Sequence, residues 1–286
     1  MVHALLVAAL AASLQQQTDT TFSVRGNGHI EFDSYAGRIA VRSWDRNDVR
    51  IRARHGNSVR VDIEHTGNAI QVEPVSRRGL AGPVDFDVTV PRSFGIEIDA
   101  INVEIDIADV NGDIHAETVN GNVNLRGVAG RIHAETTQGK VIIRDSRGTL
   151  QAETVNEGIE ITNHTGDLDA ESINGSITLT GIRAGVVSAE TVNGSVQYDG
   201  EIRDGGRYNL STHNGTITMV VPQGTNATVS VDTYQGELDA DFPIELRGRA
   251  GHDRMSFTIG NGGARLELSS FGGNIRLRRP GARVER

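Results

Sequence analysis

The stretch "HAETVNGNVNL", beginning at His115, comes back as "HAETTQGKVII", "QAETVNEGIEI", "DAESINGSITL" and "SAETVNGSVQY". The amide slot of this unit falls at Asn102, Asn120, Gln138, Asn156, Asn174, Asn193, Asn214 and Gln235, in steps of 18, 18, 18, 18, 19, 21 and 21 residues. A unit this short cannot hold a helical hairpin, so the repeat restricts the fold more than any other feature of the chain. Gly follows the amide at Gly121, Gly139, Gly175, Gly194, Gly215 and Gly236, while Val103 and Glu157 break the rule.

Within each unit the period is two. Val123 and Leu125, Val141 and Ile143, Ile159 and Ile161, Ile177 and Leu179, Val196 and Tyr198, and Ile217 and Met219 alternate with mostly polar residues. That spacing predicts half-buried strands. A second turn, often ending in Gly, leads to a second strand with Ile132, Leu150, Leu168 or Val187 inward and an Ala two residues on. One coil therefore holds two strands and two turns. Stacked coils pair each strand in parallel with its copy about 4.8 Å away, so identical residues form columns. The amide column (Asn120, Gln138, Asn156, Asn174, Asn193, Asn214) is expected to bond along the stack as a structural turn ladder. A left-handed hexapeptide helix of acyltransferase type is excluded: steps of six from Ile114 land on Asn120 and Arg126.

The expected class is all-β: a parallel β-solenoid of about 18-residue coils, right-handed by the usual crossover preference. Residues 22–95 alternate without the strict period and read as a β-rich N-terminal cap. Residues 96–240 are the regular solenoid, and 241–286 hold terminal coils and a basic tail, "RLRRPGARVER". Residues 1–13 carry an apolar run, Ala4–Ala12, followed by small residues, and read as a secretory signal peptide. The chain has no cysteine, which removes disulfides, thiolate metal sites and a cysteine nucleophile. Its net charge of −9 argues against nucleic-acid binding. No later segment is apolar and long enough to span a bilayer, so the expectation is an exported protein: periplasmic, cell-surface or secreted.

The order "VTVPRSFGIEIDAINVEIDI", the "ET-NG-I" units, "ITMVVPQGTNATVSVDTYQGELDA" and the closing "LELSSFGGNIRLR" resembles the bacterial "putative adhesin" family, also called the toastrack domain, over about residues 25–280. The resemblance implies a β-solenoid outside the cytoplasm, often in envelope-stress settings. It brings no accepted catalytic residues to transfer. The membrane segment of some relatives is not matched here.

The candidate site is the acidic column Glu117, Glu135, Glu153, Glu171 and Glu190, which alternation with Ala points outward. At about 4.8 Å, neighbouring carboxylates repel by about 1 kcal/mol in bulk water. Solvation, the nearby His115, His133 and Arg131, or bridging Ca²⁺ would relieve this. The glycine-rich nonapeptide of calcium-binding β-rolls is absent. The inward hydroxyls Thr118, Thr136, Thr154, Ser172 and Thr191 read as structural. No catalytic residue and no cofactor is expected. The expected function is a non-catalytic envelope module binding an envelope or extracellular protein or glycan. The alternative is a carbohydrate-active β-helix enzyme, with carboxylates drawn from Asp106, Asp109 and Asp113 or from the pair His164 and Asp167.

Overall fold

A computed structural model describes residues 16–76, 79–244 and 254–281; the apolar run read as a signal peptide lies outside them. The described residues form 23 strands and no helix, and most pairings are parallel. The chain is an all-β parallel solenoid.

Each coil contributes to two rows of strands. One row runs through Ile114–Asn120, Ala129–Gln138, Leu168–Ser172, Val186–Thr191 and Arg207–Thr212. The other runs through Val123–Arg126, Ile159–Thr165, Ile177–Ile182, Val196–Gly200 and Ile217–Val220. Val141–Thr154 serves both, pairing on either side of its bend. Register keeps like beside like: Ala134 pairs with Ala116 and Ala152, and Glu135 with Glu117 and Glu153. The aliphatic and alanine columns are fully buried in one continuous core. Each fully buried Val, Leu or Ile contributes about 1.5–3 kcal/mol against exposure, so stability accumulates coil by coil.

The turns explain the polar columns. Thr136 Oγ1 donates to the Gly121 carbonyl at 2.9 Å, Thr154 to Gly139 at 3.0 Å, Thr191 to Gly175 at 2.8 Å and Thr212 to Gly194 at 2.8 Å. Each hydroxyl thereby satisfies a turn carbonyl on the coil before it. The glycine after the amide is required by close approach: a Cβ on Gly194 would lie 2.1 Å from the Gly175 carbonyl oxygen. At the other corner, one left-handed position is filled in five successive coils by Asp109, Gly127, Asp145, Asn163 and Gly181, all with φ between 56° and 67°. Asp, Asn and Gly are the residues that tolerate this conformation.

Chain order and stacking order agree from residue 95 to residue 220 and part at both ends. His29–Trp44 lies between Val84–Pro91 and Gly95–Ala108. The closing strands Ala264–Ser270 and Ile275–Arg278 slip between the coil at 207–220 and the coil at 227–240. Asn214 and Gln235, consecutive in the repeat, are therefore not neighbours. Antiparallel strands finish the stack: Gln16–Ser23 on Asp48–His55, Val59–Thr66 on Ala69–Ser76, and Arg254–Ile259 on Ala227–Thr233. They occupy edges that would otherwise offer open pairing sites. Arg278 is held by Asp239 at 2.6 Å and by Asp241 at 3.2 Å, and the Arg279 guanidinium donates to the Val221 and Pro222 carbonyls. The start of the basic tail thus ties the inserted coil to its neighbours.

The longer steps have local causes. The 19-residue step takes its extra residue at the corner between Arg183 and Val187: Arg183 pairs with Thr165, 18 residues before it, whereas Val187 pairs with Leu168, 19 residues before it. The 21-residue step to Asn214 carries the loop 201–206, which two buried tyrosines secure. Tyr198 donates to the Glu201 carbonyl at 2.7 Å, and Tyr208 donates to the Ala184 carbonyl at 3.0 Å.

Candidate functional site

The five column glutamates stand in register on the outer face of the first row. Their repulsion is moderated by the residue two positions away on the same face. His115 lies 3.8 Å from Glu117, His133 lies 3.6 Å from Glu135, and Gln151 donates to Glu153 at 2.7 Å. Asn209 of the next coil donates to Glu190 at 2.9 Å. Beside Glu171 this slot holds Asp169 instead. Burial, followed by the charges of Asp169, Glu153 and Glu190, lifts the Glu171 carboxyl above its ordinary range.

A second outward column lies just past the hydroxyls. It runs Ile101, Val119, Thr137, Val155, Ile173 and Val192, then continues as His213, Phe271 and Tyr234. Ile101, Val119, Ile173, Val192, Phe271 and Tyr234 are exposed at a position where alternation puts polar side chains: Ile173 is 47% and Phe271 45% accessible. The three rings form a ladder, His213 on Phe271 at 4.7 Å and Phe271 on Tyr234 at 5.0 Å, with interplanar angles of 5° and 7°. Between the acidic and apolar columns runs a groove of about 630 Å³, lined by Glu135, Glu153, Glu171, Glu190, Val155, Ile173, Val192, His213, Asp232, Tyr234 and Phe271 among others. It crosses seven rungs, those of Glu135, Glu153, Glu171, Glu190, Ser211, Ser269 and Asp232, or about 29 Å at 4.8 Å per rung.

Sequence reasoning missed this apolar rail. Its signal lay inside the repeat, as the residue between the hydroxyl and the amide: Val119, Val155, Ile173 and Val192. The aromatic ladder was hidden for another reason. Phe271 comes between His213 and Tyr234 only because the closing strand is inserted there.

The amide column forms a ladder in two stretches. Asn120 donates to Asn102 at 2.8 Å. Asn174 donates to Asn156 at 3.2 Å, Asn193 to Asn174 at 3.0 Å and Asn214 to Asn193 at 2.9 Å. At Gln138 the run is interrupted, and Asn156 donates to the Thr137 carbonyl instead. Above Asn214 the inserted strand brings Gly272, whose backbone N–H donates to the His213 carbonyl but which has no side-chain amide to continue the ladder.

The carboxylates considered for glycoside chemistry are dispersed. Asp106 is held by Arg38 at 2.7 Å and by Asn124 at 3.2 Å. Asp109 fills the left-handed turn position. Asp113 pairs with Arg131 at 2.5 Å, and the hydrogen bonds from that side chain and its backbone N–H hold its carboxyl below the usual range. His164 is fully buried in a corner column and shares a hydrogen bond with Ser146 Oγ at 2.8 Å, whereas Asp167 is exposed. Burial pushes the His164 imidazole below its ordinary range.

No helix among the described residues is long and apolar enough to cross a membrane. No curated protein matches the chain. The chain is similar to several solved structures, among them three named for adhesion. A "putative adhesin" from Parabacteroides distasonis is 10% identical, covering 93% of this chain and 98% of that one, with a TM-score of 0.44. A "putative adhesin" from Bacteroides fragilis is 11% identical over 92% and 97%, with a TM-score of 0.35. A "putative cell adhesion protein" from Clostridium sporogenes is 8% identical over 93% and 99%, with a TM-score of 0.28. Likenesses this distant leave function to the residues of this chain. The sequence itself matches the family model Toastrack DUF4097 over residues 27–278, which spans both interleaved ends and every regular coil, and the chain belongs to that family.

Proposed function

We propose that this protein is an exported, non-catalytic binding module of the cell envelope, and that its groove holds an extended, cationic polypeptide segment of an envelope or extracellular partner. The observation that carries this reading is the alignment of two columns along one groove, with Glu135, Glu153, Glu171 and Glu190 on one wall and Val155, Ile173, Val192, Phe271 and Tyr234 on the other. A partner with basic and apolar side chains satisfies both walls at once. An anionic polysaccharide would meet like charge, both from the column and from the net charge of −9. Exposed contiguous apolar surface rimmed by polar groups is the usual mark of an interaction face.

The reading is tested with model peptides alternating Arg or Lys with Val or Leu, measured by fluorescence anisotropy against the chain. Glu153→Gln, Glu171→Gln and Glu190→Gln should each weaken binding about threefold, with roughly multiplicative loss on combination and strong sensitivity to salt. Phe271→Ala with Tyr234→Ala should weaken it about tenfold. Equal binding of a neutral peptide, or binding unaffected by the triple glutamine variant, would overturn the reading. Polysaccharide cleavage abolished by one Asp or Glu substitution would favour a carbohydrate-active enzyme instead.

A further inference from the structure

The acidic column changes its chemistry at its N-terminal end. Along most of its length the neighbouring slot carries Gln151, Asp169 or Ser188, but on two successive rungs it carries His115 and His133. The two imidazoles stack with centroids 4.8 Å apart and planes 8° from parallel. Register places Asp99 directly beside Glu117, with His115 two residues before Glu117 on the same outward face. The Nε2 atom of His115 lies 3.8 Å from Asp99 Oδ1 and 3.8 Å from Glu117 Oε2. One ligand atom from each of the three residues lies within 4.8 Å of the other two.

We infer that Asp99, His115 and Glu117 form a surface site for a divalent transition metal of the Zn²⁺ class. Bonds of about 2.0–2.2 Å to a tetrahedral ion put neighbouring ligand atoms about 3.4 Å apart. The observed 3.8 Å separations close to that value with shifts of a few tenths of an ångström in side chains that are about half exposed. Three protein ligands leave a fourth position for water. The imidazole decides the class of ion: Ca²⁺ and Mg²⁺ take oxygen ligands, whereas first-row transition metals bind nitrogen readily. The aromatic neighbour His133 packs against one face of His115 and limits the swing of its ring. The site lies outside the groove, whose lining begins one rung further on at Glu135. It therefore stands or falls separately from peptide binding.

Zn²⁺ alone is the probe, titrated by calorimetry into the chelator-treated full chain at pH 7.5. One ion per chain should bind at about micromolar Kd, and a hundredfold excess of Ca²⁺ should not displace it. His115→Ala should weaken binding at least tenfold, and Asp99→Asn at least threefold. His213→Ala and Glu171→Gln, away from the site, should leave it unchanged. Far-UV circular dichroism and melting of His115→Ala without metal should match the parent, because the side chain is surface-placed. The inference is overturned if His115→Ala binds Zn²⁺ as the parent does, if His213→Ala costs as much, or if Ca²⁺ competes at equal concentration.

Discussion

At single positions the repeat shows how a column of one residue type is made tolerable. Four of the five column glutamates sit beside a histidine or a side-chain amide donor. Glu171 sits beside Asp169 and between Glu153 and Glu190, and its carboxyl is pushed upward. The sign of its effect follows directly. A carboxyl whose folded value lies above its ordinary 4.5 favours the fold when protonated and loses that advantage as pH rises through the folded value. Glu171→Gln should therefore melt higher than the parent at pH 7, and the difference should vanish below about pH 4.5, as read by thermal melts across that range. A variant that melts lower at pH 7 would mean that the carboxylate is stabilised by something on the surface. The outward direction of the glutamates was legible from alternation with alanine. Their individual relief was not, because it depends on which residue register places in the adjacent slot.

At the scale of strands and turns, the corner column Val110, Val128, Ser146, His164 and Ile182 carries a comparable exception. Aliphatic residues fill it except for one buried pair, in which Ser146 Oγ and His164 Nδ1 meet at 2.8 Å. The folded value of His164 lies below its ordinary 6.5, so its contribution to stability is complete above that pH and is lost as pH falls through the lower folded value. The paired change Ser146→Ala with His164→Val removes the titration without stranding the hydroxyl. Urea midpoints should then fall less between pH 8 and pH 5.5 than those of the parent. Equal slopes would place the acid sensitivity elsewhere. The repeat showed strands, turns and period plainly, because each coil restates the same rules. The corner was harder to read. Asp109 belonged to a suggestive acidic cluster in the sequence, yet it occupies a left-handed turn that Gly127 and Gly181 fill in other coils.

Across the whole molecule, sequence order was a sound guide to spatial order only where the period was strict. The strand Ala264–Ser270 resembles another terminal coil in sequence, but it separates Arg207–Thr212 from Ala227–Thr233. No periodicity announces such an insertion, because it is a matter of which edge the chain returns to. It has an energetic consequence. In a nearest-neighbour stack, removing an internal coil also removes the support of the one beyond it. A chain ending at residue 262 should lose hydrogen-exchange protection in Ala227–Thr233 as well, while Ala129–Gln138 keeps its protection. Persistent protection at Ala227–Thr233 would show that it can close directly on Arg207–Thr212.

The interleaved ends also set where such a protein can lengthen over evolutionary time. Tandem duplication at either terminus would have to rebuild a threaded closure. Duplicating one regular unit between Asn120 and Asn193 needs only a copy of contacts that already repeat. Each duplication adds about 4.8 Å to the stack and, within the stretch that lines the groove, one more acidic and one more apolar side chain. The middle of the gene thus acts as a ruler, letting reach along a partner be adjusted in fixed increments while both closures are inherited intact.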